Sequence, residues 1–231
     1  MTTISNRLQD ILATIQSAQA ASPYQQPVKL LAVSKAQPST AIREAFLAGQ
    51  ALFGENYLQE ALEKQAELAD LPIEWHFIGP IQSNKTQPIA QSFTWVHSVD
   101  RIKIAQRLNE ARPAHLAPLQ VCIQVNVSNE ASKSGVTPDE LEALAQAITA
   151  LPRLKLRGLM AIPAPSTDMK QQLLQFKQVR QCYDALSAKG FALDTLSIGM
   201  SDDYPIAISQ GATFVRIGSA LFGARPRNKS A

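Results

Sequence analysis

The sequence predicts an α/β fold of parallel strands, closed as a single TIM-type (β/α)8 barrel with an extra helix at its amino terminus. Three observations predict it. Short apolar runs of strand composition alternate eight times with segments of helical periodicity. No shift in composition and no linker divides the 231 residues. Side chains able to do chemistry recur where nearly every strand ends. The alternation requires a parallel sheet, because each crossover helix returns the chain to the same end. An open, doubly wound sheet satisfies it as well, but concentrates its site at one switch point, whereas a barrel gathers all its strand exits on one face.

With 45% hydrophobic residues the chain can bury a full core, and its length fits one barrel. The formal charge of +3 is modest and spread along the chain, apart from Arg225, Arg227 and Lys229, read as a short solvated tail over 225–231. No basic stripe is interleaved with aromatics, which excludes nucleic acid as the expected partner. Two cysteines, Cys122 and Cys182, build no secreted disulfide framework and have no metal-ligand neighbour at motif spacing, so no metal is expected and both read as packing thiols. The amino terminus has no apolar signal core, and no apolar run approaches membrane-spanning length. The expectation is a cytoplasmic protein with no membrane partner.

Ile4, Leu8, Ile11, Leu12 and Ile15 recur at helical spacing, so a helix over about residues 3–20 precedes the barrel, which spans about 28–224. Leu30–Lys35 is the first strand, an apolar run ending abruptly in Ser34 and Lys35. Pro38 opens a helix carrying Ile42, Ala45 and Phe46. Ala51-Leu52-Phe53 is the second strand, exiting through Gly54-Glu55-Asn56, and Leu58, Ala61, Leu62 and Leu68 mark the next helix. Glu74–Ile78 is the third strand, with His76 inside it. Gln82 to Phe93 is less regular and carries no assigned helix.

Thr94–Val96 is the fourth strand, running into His97-Ser98, with Asp100 placed to cap a helix bearing Ile104, Ala105 and Leu108. Gln120–Val127 alternates as a fifth strand and exits through Asn126, Ser128 and Asn129. Thr137 and Glu140 have capping-box spacing, with Pro138 at the first helical position. Lys155–Ile162 is the sixth strand, followed by a helix with Leu173, Phe176, Val179, Tyr183 and Leu186 inward. Leu193–Ile198 is the seventh, exiting through Gly199-Met200-Ser201, where Ser201 can cap a short helix. Ala212–Ile217 is the eighth, exiting through Gly218-Ser219.

The strand exits of a barrel bring Lys35, Asn56, Asn126, Met160, Ser201, Arg216 and Ser219 around one cavity. Lys35 has two readings: a strand-ending lysine pointing to water, or an amine that loses hydration beside apolar walls and becomes able to form a Schiff base with a carbonyl. The two glycine turns after the seventh and eighth strands, with their hydroxyls, suggest a phosphate cup. Asp202 and Asp203 oppose it unless both carboxylates turn away. Arg216, between Val215 and Ile217, faces opposite to them and, as a buried charge, needs a partner. Amine, cup and arginine are the set expected for pyridoxal phosphate, or else for a barrel holding a small phosphorylated ligand. His76 and His97 are placed to line the cavity, His115 reads as solvated, and Ser132-Lys133-Ser134-Gly135 reads as a solvated loop.

Leu31-Ala32-Val33-Ser34-Lys35, Phe53-Gly54-Glu55-Asn56-Tyr57, the run Trp75–Lys85, Ser132–Gly135, Arg157-Gly158-Leu159-Met160, Ser197–Asp203 and Val215-Arg216-Ile217-Gly218 together resemble the pyridoxal phosphate homeostasis protein family, from about Val28 to Ala224. No motif of the family is missing, and Ser219 stands where threonine is also common. The resemblance implies a barrel like the cofactor domain of alanine racemase, with Lys35 as the Schiff-base lysine. Ser201, Gly218 and Ser219 would hold the phosphate, Arg216 would face the pyridine nitrogen, and Asn56 and Met160 would lie close to the cofactor. It implies carriage and buffering of pyridoxal phosphate, in vitamin B6 and amino-acid balance, with no catalytic residue assigned. Apo-enzymes that need the cofactor are the expected recipients, and a monomer is the expected state. One domain over 1–231 is expected, with no added domain to supply a racemase's second base. A racemase-like enzyme is the alternative, and an aldolase using Lys35 without cofactor a distant one.

Overall fold

The computed structural model describes residues 3–128, 134–164 and 166–223. The readings of Asn129, of Ser132 and Lys133, and of the tail with Arg225, Arg227 and Lys229 lie outside the described residues.

Eight parallel strands close into a barrel in sequence order. They are β1 (Lys29–Val33), β2 (Leu52–Glu55), β3 (Glu74–Phe77), β4 (Trp95–Val99), β5 (Leu119–Gln124), β6 (Leu154–Met160), β7 (Thr195–Ser197) and β8 (Phe214–Ile217). β8 pairs back onto β1 with Leu31 opposite Arg216. The helices are α1 (Ile4–Ala21) before the barrel, then α2 (Ser39–Leu47), α3 (Leu58–Glu67), α4 (Thr86–Ser92), α5 (Ile102–Ala111), α6 (Leu141–Thr149), α7 (Met169–Ala188), α8 (Tyr204–Ser209) and α9 (Ser219–Phe222).

Alternation along each strand sorts side chains into two layers. Leu30, Ala32, Val96, Val121, Ile123, Val215 and Ile217 face outward into a continuous core shared with the helices. Leu31, Ile78, Trp95, Cys122, Met160 and Phe214 form a separate cluster enclosed by the strands. Burial there pushes the Cys122 thiol pKa well up, so it stays a packing thiol. α1 packs on α2, α8 and α9 through Ile4, Leu8, Ile11 and Ile15, and Thr3 caps it by accepting from the Asn6 N–H. Leu12, expected on the same face, is 40% exposed, at the edge of the stripe.

Several boundaries differ from the sequence reading. Gln82 to Phe93 holds a 3-10 turn, Ser83–Lys85, and then α4, a helix too short for a periodicity to emerge from Ile89 and Ala90. Asp100 does not cap α5: Arg101 is the cap residue, and Asp100, one place too early to reach the free amides, accepts from Arg101 at 2.7 Å. Pro38 is the residue before α2 rather than its first. The capping box of Thr137 and Glu140 forms, but it opens a 3-10 turn over Pro138–Glu140 ahead of α6. Leu173, expected inward on α7, is exposed. Ser201 does not cap α8, whose cap position is Asp203.

Candidate functional site

At the carboxyl ends of the strands, above the enclosed cluster, lies a cavity of about 240 Å3. Lys35, Asn56, Ser201, Arg216, Gly218 and Ser219 all line it. Met160 does not: it is fully buried in the enclosed cluster, and Ile162, one alternation further on, forms the wall in its place. Asn126 is also absent from the lining, its Oδ1 accepting from Ser128 N–H and Oγ–H. A larger groove of about 560 Å3 lies between α6 and α7, but Glu142 and Lys189 there are paired with each other and no set of polar groups converges.

Lys35 is carried on a turn held by a charged clamp. Lys64, on α3, donates to Ser34 O at 2.7 Å, Glu55 Oε1 at 2.8 Å and Glu60 Oε1 at 2.5 Å. Ser34 Oγ–H donates to Glu55 Oε1 at 2.6 Å, and the Ala36 N–H to Glu60 Oε1 at 2.6 Å. Both neighbours of Lys35 are therefore anchored. Ala36 sits at φ +58°, a left-handed conformation costing about 1–3 kcal/mol for a residue with a Cβ, and its bond to Glu60 helps to hold it there. Burial raises the Glu55 carboxyl pKa, more than Lys64 and Ser34 lower it.

Arg216 points into the barrel, opposite to Val215 and Ile217, and is 4% exposed. It donates to Ser197 O at 2.5 Å, Ser197 Oγ at 3.0 Å and Ala161 O at 2.9 Å. Burial lowers its pKa to about 10, which leaves it charged at neutral pH. The Asp203 carboxylate favours that charge from nearby.

The remaining wall is made of small polar groups. Ser219 Oγ–H donates to Ser201 Oγ at 3.2 Å, and the Ala220 N–H reaches the same oxygen at 3.4 Å. Gly199 makes the turn possible: it sits at φ +90°, and a Cβ there would lie 2.6 Å from Ala207 Cβ. Of the two acids that opposed the cup, Asp203 folds back to accept from the Met200 N–H at 2.6 Å, while Asp202 stays on the rim of the cavity. Only one of the two turns away.

On the opposite wall, Asn56 Oδ1 is buried and has no hydrogen-bond partner among the described residues. Gly79 packs so closely against Asn56 that a Cβ there would lie 2.0 Å from its carbonyl oxygen. His76 and His97 do not line the cavity: both are fully buried inside the barrel below it. Sequence reasoning missed Gln37, Ile78 and Ile162 in the lining, and Lys64, Glu55 and Ser197 as supports. The (i, i+4) spacing of Glu60 and Lys64 was the one available signal, and it reads equally well as a solvated helix face.

A closed barrel whose exit-face cavity collects an amine, a guanidinium and paired hydroxyls defines a ligand-binding barrel of the alanine-racemase type. The sequence agrees, matching the model for the alanine racemase N-terminal domain over residues 7–226. The chain belongs to the pyridoxal phosphate homeostasis protein family. It is 61% identical over 226 residues to the member from Pseudomonas aeruginosa, covering 97% of both chains, and 52% identical over 205 residues to that of Escherichia coli K12, covering 87% and 88%. PipY of Synechococcus elongatus, solved with PLP bound, superimposes with a TM-score of 0.85 at 38% identity, over 96% of this chain and 100% of that one. Alanine racemase from Corynebacterium glutamicum, at 18% identity and TM-score 0.71 over 95% of this chain and 63% of that one, shares the fold.

Proposed function

We propose that this protein binds pyridoxal phosphate in the exit-face cavity and carries and buffers it, without a robust catalytic turnover of its own. The observation that carries the reading is the convergence of Lys35, Asn56, Arg216, Ser201 and Ser219 on one cavity. The fit is supported by Asn56 Oδ1, a buried acceptor with no partner among the described residues, which a ligand hydroxyl would satisfy. PipY, 38% identical, holds PLP.

When bound, pyridoxal phosphate supplies an aldehyde, a phosphate and an electron-withdrawing ring. In this reading Lys35 is the amine that would hold the aldehyde end, and Ser201, Gly218 and Ser219 would hold the phosphate through hydroxyls and backbone amides. Arg216 would face the ring nitrogen as a donor that has no proton acceptor to offer, and so would disfavour protonation there. Met160 supports the cavity from beneath. No helix among the described residues is long and apolar enough to cross a membrane, and no cluster of three or more metal-ligating side chains occurs among them. The same reading takes residues 1–231 as one domain, monomeric and cytoplasmic, passing the cofactor to apo-enzymes.

Purified protein incubated with pyridoxal phosphate is expected to gain visible absorbance that borohydride bleaches, with the reduced adduct mapping to Lys35 by mass spectrometry. Protein that stays colourless, or an adduct on another lysine, overturns the assignment. Racemisation or transamination of amino acids on the order of one turnover per second or faster overturns the carrier reading.

A further inference from the structure

The enclosed interior of the barrel holds a polar path through an otherwise apolar cluster. Glu74 Oε1 lies 2.9 Å from His76 Nε2, His76 Nδ1 lies 2.9 Å from His97 Nε2, and His97 Nδ1 lies 2.8 Å from Ser197 Oγ. Arg216 Nη1–H reaches the same Ser197 oxygen at 3.0 Å. His76, His97 and Ser197 are fully buried, whereas the Glu74 side chain is 40% exposed at the start of β3, at the mouth opposite the cavity. The path therefore runs from one end of the barrel to the other.

Its two ends fix the direction of every bond. A guanidinium only donates and a carboxylate only accepts. Ser197 Oγ accepts from Arg216, so its own hydrogen is available to His97 Nδ1. His97 then carries its proton on Nε2 and donates to His76 Nδ1, and His76 carries its proton on Nε2 and donates to Glu74. With both imidazoles neutral, this arrangement alone places one hydrogen in each contact. Reversing the middle bonds would leave bare His76 Nε2 facing a carboxylate. Neutrality agrees with the surroundings: burial lowers both histidine pKa values, that of His76 despite Glu74 and with Lys29 nearby, that of His97 further through His76 and Arg216. Glu74 is held ionised by His76, with Lys29 and the Trp95 indole adding to the effect.

We propose that Glu74, His76, His97 and Ser197 are positioning residues for Arg216, forming a one-way hydrogen-bond chain through the barrel that fixes the guanidinium and ties its charge to a carboxylate at the opposite mouth. The inference rests on the reading of Arg216 as a cofactor contact. Because the chain has a defined polarity, a change at Glu74 is felt at the cavity although Glu74 touches nothing there.

The first test needs no cofactor. Long-range nitrogen–proton NMR correlation of the protein without pyridoxal phosphate is expected to show His76 and His97 each protonated on Nε2 only at neutral pH. Either ring protonated on Nδ1 overturns the chain. The second test compares Ser197→Ala, which removes the central link but leaves Arg216 its two carbonyl acceptors, with Glu74→Gln, which keeps an acceptor for His76 and removes the charge. Ser197→Ala is expected to weaken pyridoxal phosphate binding about two- to tenfold and to alter the absorption of the bound cofactor. Glu74→Gln is expected to alter that absorption in the same sense with a smaller loss of affinity. Absorption and affinity unchanged in both variants overturns the positioning role. If wild-type protein takes up no pyridoxal phosphate, the proposed function falls, and the tautomers alone then decide whether the chain exists.

Discussion

The two walls of the cavity are held in different ways. On the β1–β2 side, Lys35 rides on a turn clamped by a buried ammonium and two carboxylates, Lys64 with Glu55 and Glu60. On the β7–β8 side, Ser201 and Ser219 meet through hydroxyls and a backbone amide. Buried charges have strict geometric demands, because each loses its hydration and must be matched by its partner. Hydroxyls and amides bind more weakly and tolerate an absent or departing ligand. In the proposed reading the first wall would hold the reactive amine in place, and the second would hold an anion that comes and goes.

Removing a reactive group from the clamped wall should give the largest effect. Lys35→Ala is expected to abolish the borohydride-reducible adduct completely while the fold and a weaker, reversible binding of pyridoxal phosphate survive. Equilibrium dialysis against pyridoxal phosphate and pyridoxal checks this, and equal affinity for the two would show that the hydroxyl wall does not hold the phosphate. Lys64→Ala comes next. It strands Glu55 in the interior, and the expected loss is about 3–5 kcal/mol of stability in urea unfolding.

On the other wall, Ser219→Ala is expected to cost about 1.5 kcal/mol, roughly tenfold, in affinity for pyridoxal phosphate. Pyridoxal binding and the unfolding midpoint should not change. The smallest effect belongs to Glu55→Gln, expected to change stability at neutral pH by less than about 1 kcal/mol, because it removes a desolvated charge while Lys64 keeps Glu60. Its pH dependence is the sharper observation. A carboxyl raised above 4.5 in the folded chain contributes stability that is full below 4.5 and is lost as pH rises through its folded-state pKa. Stability of Glu55→Gln relative to wild type should therefore rise from acid pH toward neutral. A flat difference would mean that the Glu55 carboxyl is not strained by burial.

Much of the site was legible because strand geometry is local. An apolar run that stops at Lys35 has to deliver it to a strand exit, and Arg216 between Val215 and Ile217 has to face the barrel interior if those two face the helices. What was not legible depends on partners far apart in sequence. His97 meets Ser197 across 100 residues, so nothing near either residue marks the pair. Met160 and Ile162 differ by one alternation, and only the height of the cavity floor decides which of them lines it. Ser201 has the neighbours of a helix cap, but the turn at Gly199 instead aims it at Ser219.

Closure of the sheet bears on what the molecule can withstand when empty. Every strand of the barrel has a neighbour on both sides, so among the described residues the sheet leaves no open edge on which another chain could add a strand and seed aggregation. In the proposed carrier role the protein would spend part of its life without ligand. Loading is then expected to raise the melting temperature by mass action, in step with the logarithm of free ligand concentration.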